Sequence, residues 1–325
     1  MPVRPRVSIV IPARNEAAHI GDCLDSIAAA VGERLPYEVT VVDHGSTDGT
    51  AEIARSRGVR VVHHPRGTVA DARNTGVALS AGEVLAFVDG DVVVSAGWGR
   101  GLERMLDRFR ARPRTIAGAT PGITDPPSWV ERLWFDPAKR SAVNHLPGAN
   151  MTIPRALFEE LGGFDARLET GEDYDLCRRV TAAGGEVVKD DGLAVEHRGW
   201  PRTLRQFVRR EAWHGAGDFA SLRGVRGSRV AQATVGFVAL HLAAAGAAVP
   251  APGVAAVALA GVAGLCGAAA LAKYRRSGPV EVVQLGMLYY AYFFGRSVAL
   301  FRALGRAARL PAGRRAAPAP DALAG

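Results

Sequence analysis

Two acidic side chains one residue apart, in Asp89-Gly90-Asp91, directly follow the apolar run Val84–Val88. At a strand end such a pair can converge on a hard divalent cation and on the hydroxyls of a bound nucleotide, and oxygen ligands of this kind suit Mg2+ or Mn2+. The same triplet occurs in ordinary solvated turns; its place after a buried strand favours the ligand reading. A second acidic group, Glu172-Asp173-Tyr174-Asp175, opens a helical pattern. The helix dipole there keeps a carboxylate ionised, as a proton-accepting base must be. Capping alone explains Glu172 and Asp175, and competes with the base reading at Asp173. Asp43 and Asp48 bracket a His-Gly-Ser-Thr turn after another apolar run. Asp48 is ordinary turn or cap chemistry, whereas Asp43, at the strand end, is open to both turn duty and ligand contact.

Those side chains need a scaffold that delivers strand ends to one place. Residues 7–11, 39–42, 59–62 and 84–88 are apolar at nearly every position, the pattern of strands buried on both faces of a parallel sheet. Helical patterns over 16–30, 50–57 and 69–80 alternate with them, which predicts a doubly wound α/β domain with ligands bound at the carboxyl ends of the strands. Pro12, Arg14 and Glu16 fall at the first of those ends. No G-x-G-x-x-G follows the first strand, which argues against dinucleotide chemistry of the Rossmann type, and a Walker A loop is also missing. Beyond Thr115 the pattern loosens into Pro-rich stretches, then gives a helix from Pro154 to Gly162-Gly163, a second from Glu172 to Gly184, and a strand-like run over 193–197. His63-His64 reads as a turn pair, and His241, inside an apolar helix, as packed or interfacial.

The whole chain has 325 residues, 48% of them apolar, enough for one large domain and something more. Its formal charge of +8 is unevenly spread: residues 1–196 carry 23 Lys and Arg against 28 Asp and Glu, or −5, and residues 197–325 carry 17 against 4, or +13. Residues 231–249 and 252–272 contain no charged side chain, and each approaches the ~20 residues that span a bilayer as a helix. A third apolar segment, 282–301, is interrupted by Arg296. The basic, Trp-bearing stretch before them reads as an interfacial segment meeting anionic lipid, and the apolar hairpin disfavours nucleic acid as the partner. Cys23, Cys177 and Cys266 lie far apart with no metal or disulfide spacing, as in a reducing compartment. The basic residues near Met1 precede no apolar core of a signal peptide, so the N-terminal domain is expected on the cytoplasmic side of the plasma membrane.

Taken in order, the stretches at 7–16 (VSIVIPARNE), 41–50 (VVDHGSTDGT), 72–76 (ARNTG), Asp89-Gly90-Asp91, 148–151 (GANM), 162–165 (GGFD) and 171–173 (GED) resemble the family 2 glycosyltransferases. The resemblance covers roughly residues 5–200 and implies a GT-A fold and transfer of a sugar from a nucleotide-sugar donor. It implies donor contacts for Pro12, Arg14, Glu16, Asp43, Arg73 and Asp89, a metal held by Asp89 and Asp91 and completed by a late His197, and Asp173 as catalytic base. Asn150 and Glu172 would lie on the acceptor side. One base opposite the leaving group implies inversion at the anomeric carbon. Many members carry a second Asp where this chain has His44, so the donor base stays open. Processive members carry Q-x-x-R-W where this chain reads Gln206-Phe207-Val208-Arg209-Arg210, which argues against a polymerising channel. The organisation expected is a GT-A domain over 1–200, a basic interfacial linker over 201–229, membrane helices over 230–305 and a disordered basic tail over 306–325. The acceptor expected is a lipid or glycan near the membrane; the competing reading is a noncatalytic nucleotide-sugar-binding scaffold.

Overall fold

A computed structural model describes residues 4–136, 145–219, 222–273 and 279–309. In the N-terminal part β1 (Val7–Ala13), α1 (Ile20–Val31), β2 (Tyr37–Asp43), α2 (Thr50–Ser56), β3 (Arg60–His63), α3 (Val69–Ala78) and β4 (Val84–Val88) follow one another. β5 (Val92–Val94), α4 (Trp98–Ala111), β6 (Thr115–Gly118), a short π-helical turn (Glu131–Phe135), β7 (Asn150–Pro154), α5 (Arg155–Glu160), α6 (Glu172–Ala182), β8 (Glu186–Lys189) and β9 (Val195–His197) complete it. The main sheet has the order β3-β2-β1-β4-β7-β6-β8. β1 lies parallel to β2 and β4, β2 to β3 and β6 to β8, while β7 runs antiparallel to both its neighbours. β5 and β9 form a separate antiparallel ribbon.

The nearly continuous apolar character of β1 follows from burial on two sides. Val7, Ile9, Ile11 and Ala13 enter one core with Ile20, Leu24 and Ile27 of α1 and Leu102, Leu106 and Phe109 of α4, whereas Val10 joins a second core with Phe87, Phe158, Phe164 and Leu176. β3 departs from the expected pattern: its end residues are exposed because it closes the sheet edge. The first helix begins at Ile20 instead of Glu16. Asn15 adopts a left-handed backbone (φ 59°), and the amide N–H groups of Glu16 and Ala17 donate to Thr50 Oγ1 (2.8 Å) and Asp48 Oδ2 (3.1 Å), which holds these residues in a loop.

Backbone proximity divides the chain into two units, Met1–Leu204 with Leu271–Leu285, and Arg205–Ala270 with Gly286–Gly325. The C-terminal helices are α7 (Leu204–Asp218), α8 (Leu222–Gly227), α9 (Arg229–Ala247), α10 (Pro252–Lys273) and α11 (Pro279–Arg309). α9 and α10 are long and apolar enough to cross a membrane, with mean hydropathies of 1.5 and 2.2. They leave Leu242, Val254, Val257 and Leu259 exposed, more uncovered apolar surface than a water-facing helix carries singly. The third apolar segment is the middle of α11, and Arg296 within it pairs with Glu211 (3.0 Å) and Asp218 (2.5 Å) of α7. The two helices approach closely there, since a Cβ on Gly295 would stand 2.8 Å from the Val208 carbonyl oxygen. His241 is hydrogen-bonded within this unit, to Phe237 O (2.8 Å) and Tyr290 Oη (3.2 Å). Of the expected disordered tail, 306–309 continue α11 as helix, and 310–325 lie outside the described residues.

Candidate active site

The end of β4 and the end of β9 meet through the small ribbon. Val92 is in register with His197, so the imidazole arrives beside Asp91, with Nε2 3.7 Å from Asp91 Oδ1. Asp89, Asp91 and His197 each offer a ligand atom within 4.8 Å of the others. Arg198 N–H donates to the Asp91 carbonyl (2.8 Å) and folds the following turn onto the aspartate. Burial raises the Asp91 carboxyl above its usual range, opposed by His197 and reinforced by Asp89. Burial, then Asp91, Asp89 and Asp48, push the Glu16 carboxyl up to about 8. The nook therefore concentrates negative charge that its own side chains only partly balance. Carboxylate oxygens and one imidazole are the donors a divalent cation of the Mg2+ or Mn2+ kind accepts, so the residues fit such an ion.

Arg73, expected as a donor contact, is held between two carboxylates. It is 3% exposed, donating from Nη2 to Asp89 Oδ1 (2.7 Å) and from Nη1 to Glu172 Oε1 (2.5 Å). Burial disfavours its charge, but Asp89 and Glu172 outweigh that and keep it cationic. Glu172, expected on the acceptor side, is thus the buried partner of an arginine. Asn150, also expected on the acceptor side, is fully buried: its carboxamide donates to Ala119 O (3.2 Å) and Leu193 O (2.7 Å) and accepts from Trp98 Nε1 (3.3 Å). Arg73→Ala should strand two carboxylates and cost about 3–5 kcal/mol, lowering the apparent Tm on the order of 10 °C for a unit of this size. A circular dichroism melt of the full chain checks it.

Asp173 stands in the first turn of α6, entered through Gly171 at φ 86°. Its Oδ2 accepts from Gly148 N–H (3.0 Å) and its Oδ1 from Tyr174 N–H (2.7 Å). It is half-buried, and its neighbour Glu172 is tied through Arg73 to Asp89. Asp43 is buried at the end of β2, accepting from Ser46 N–H (3.1 Å) and facing His63 Nδ1 (2.9 Å). Burial raises its carboxyl, but the bonds from Ser46 and His63 outweigh it and leave it below the usual range. The expected turn pair is therefore a carboxylate partner twice over, since His64 Nε2 faces Asp71 Oδ2 at 2.7 Å. Asp48 binds Thr50 and Ala17, as a turn and cap residue does. Pro12 is buried within β1 and Arg14 is exposed beyond it. Sequence reasoning missed His63, whose register opposite Asp43 depends on the β2–β3 pairing.

The profile "Glycosyl transferase family 2" matches residues 8–158, and "Glycosyl transferase family 21" matches residues 134–300, more than half of the chain. The chain belongs to the family 2 glycosyltransferases. This glycosyltransferase is 32% identical over 194 residues to "Glycosyltransferase AglE" of Haloferax volcanii, a match covering 55% of the chain and 62% of that protein. It is 31% identical over 229 residues to "Pre-mycofactocin glycosyltransferase" of Mycobacterium tuberculosis, covering 64% of the chain and 46% of that protein. The match thus spans about half to three-fifths of these relatives. Among solved structures, "Mannosyltransferase PcManGT from Pyrobaculum calidifontis in complex with GDP-Man and Mn2+" shares the fold, with a TM-score of 0.54 and 20% identity over 95% of this chain and 88% of that one. The mixed, mostly parallel sheet is accordingly a GT-A sheet.

Proposed function

We infer that this family 2 glycosyltransferase moves a sugar from a nucleotide-sugar donor to a hydroxyl of a lipid or glycan at the membrane, with inversion and with Mg2+ or Mn2+. The observation that carries the reading is the convergence of Asp89, Asp91 and His197 within 4.8 Å, with Asp173 held on the adjoining helix terminus. The mannosyltransferase of like fold, bound to GDP-Man and Mn2+, supports a donor and a cation of these classes. A bound divalent ion neutralises charge on a departing diphosphate, so no carboxylic acid is needed to protonate it.

Asp89, Asp91 and His197 would hold that ion, and Asp43, Glu16 and the residues around them would face the nucleotide. Asp173 accepts the proton of the acceptor hydroxyl as its oxygen bonds to the anomeric carbon and the bond to the diphosphate breaks. Attack opposite the leaving group inverts the centre. The C-terminal part is read as a basic interfacial segment over 201–229 followed by membrane helices over 230–305. α9 and α10 and the +13 charge of residues 197–325 support attachment to an anionic, cytoplasm-facing lipid surface. With full-length protein in detergent, Mn2+ and a membrane-lipid extract as acceptor, one member of a panel of UDP-, GDP- and dTDP-sugars should release nucleoside diphosphate. If every donor stays intact while an active glycosyltransferase run alongside turns over, the reading fails.

A further inference from the structure

Histidines that bind metals ordinarily have the second ring nitrogen held by a carboxylate, carbonyl or water, which fixes the ring's orientation and tautomer. Among the described residues, no side chain or carbonyl gives His197 that support. Its Nε2 is 3.7 Å from Asp91 Oδ1, while its Nδ1 is buried with no hydrogen-bond partner among the described residues. The ring is nevertheless held. The indole of Trp200 stacks on it with centroids 4.0 Å apart and planes 15° apart, and Phe135 stacks on the far side of Trp200 at 4.3 Å and 16°. Trp200 is anchored in turn, because its Nε1–H donates to Gly122 O (3.0 Å), the same carbonyl that accepts from the backbone N–H of His197 (3.2 Å). Between the two rings the chain turns at Gly199, where a Cβ would collide with the Asp91 carboxylate and stand 3.2 Å from His197 Cε1.

We propose that Trp200 is the positioning residue for His197, its face holding a ring whose Nδ1 no described residue hydrogen-bonds. A flat partner fixes the plane of the imidazole, and a ligand nitrogen's lone pair lies in that plane, so the stack aims Nε2 at the space beside Asp91. This rests on the reading of Asp89, Asp91 and His197 as a cation site.

The test is Mn2+ alone added to the full chain in detergent, with unbound Mn2+ measured by electron paramagnetic resonance. Trp200→Phe keeps a stacking face and should bind within about threefold of the parent. Trp200→Leu keeps apolar bulk without the face and should weaken binding about tenfold, the range seen when outer partners of a ligand are lost. In a His197→Ala background Trp200→Leu should add nothing, because its effect passes through the imidazole. Should the Leu variant fail to fold, Trp200→Met carries the same expectation. Parent-like affinity in the Leu or Met variant, or an equal loss with and without His197, overturns the positioning role while leaving the cation site standing. Unchanged Mn2+ affinity in Asp91→Ala overturns the cation site itself, and the positioning role with it.

Discussion

Asp91→Asn should lose glycosyl transfer by about a thousandfold or more while its fold survives. A cation at a departing diphosphate contributes several kcal/mol of charge stabilisation, and each ~1.4 kcal/mol is a factor of ten in rate. The amide keeps the shape of Asp91 but offers the ion no charge. Because Glu16, Asp89 and Asp91 crowd one nook and burial already penalises the Asp91 charge, the substitution relieves repulsion in the cation-free protein. The variant should therefore melt no lower than the parent without divalent ions, and Mn2+ should no longer raise its Tm. Turnover within tenfold of the parent, measured as released nucleotide, would remove Asp91 from the reaction.

The second large effect belongs to Asp173. Asp173→Asn should slow transfer by about two to four orders of magnitude, the span of a lost general base. The side-chain oxygen of asparagine can still accept from Gly148 N–H, as Asp173 Oδ2 does at 3.0 Å, so the 148–151 stretch stays in place. The signature that separates this from a distorted site is preserved Mn2+ binding and preserved donor affinity with a collapsed kcat. A KM-only effect would assign Asp173 to positioning.

Much of the α/β half was legible because β1, β4 and the end of β2 are buried on both faces, and runs that are apolar at nearly every position signal that directly. β6, β7 and β8 were not. They are short and mix polar with apolar residues, and β7 is inverted between β4 and β6, so no apolar run marked them. The acidic site residues could be read from their types and strand-end positions. Their internal partners could not: Arg73 carries no local sign that it will be sealed between Asp89 and Glu172, 16 and 99 residues away. Asn150, assigned to the acceptor side only by the family resemblance, bonds two carbonyls and an indole that no local pattern announces. Burial decides such cases, and burial is a property of pairings remote in sequence.

The β5–β9 ribbon has a consequence for biosynthesis. It joins positions 92 and 197, 105 residues apart, and closing so long a loop is delayed until nearly the whole N-terminal half has left the ribosome. Strands β1 to β4 can pair early, with Asp89 and Asp91 already at their sheet edge, but the imidazole that faces Asp91 arrives with the last strand. A nascent or truncated chain ending before 197 thus presents the two aspartates without their third partner, and only a fragment extending past 197 can carry the complete cluster.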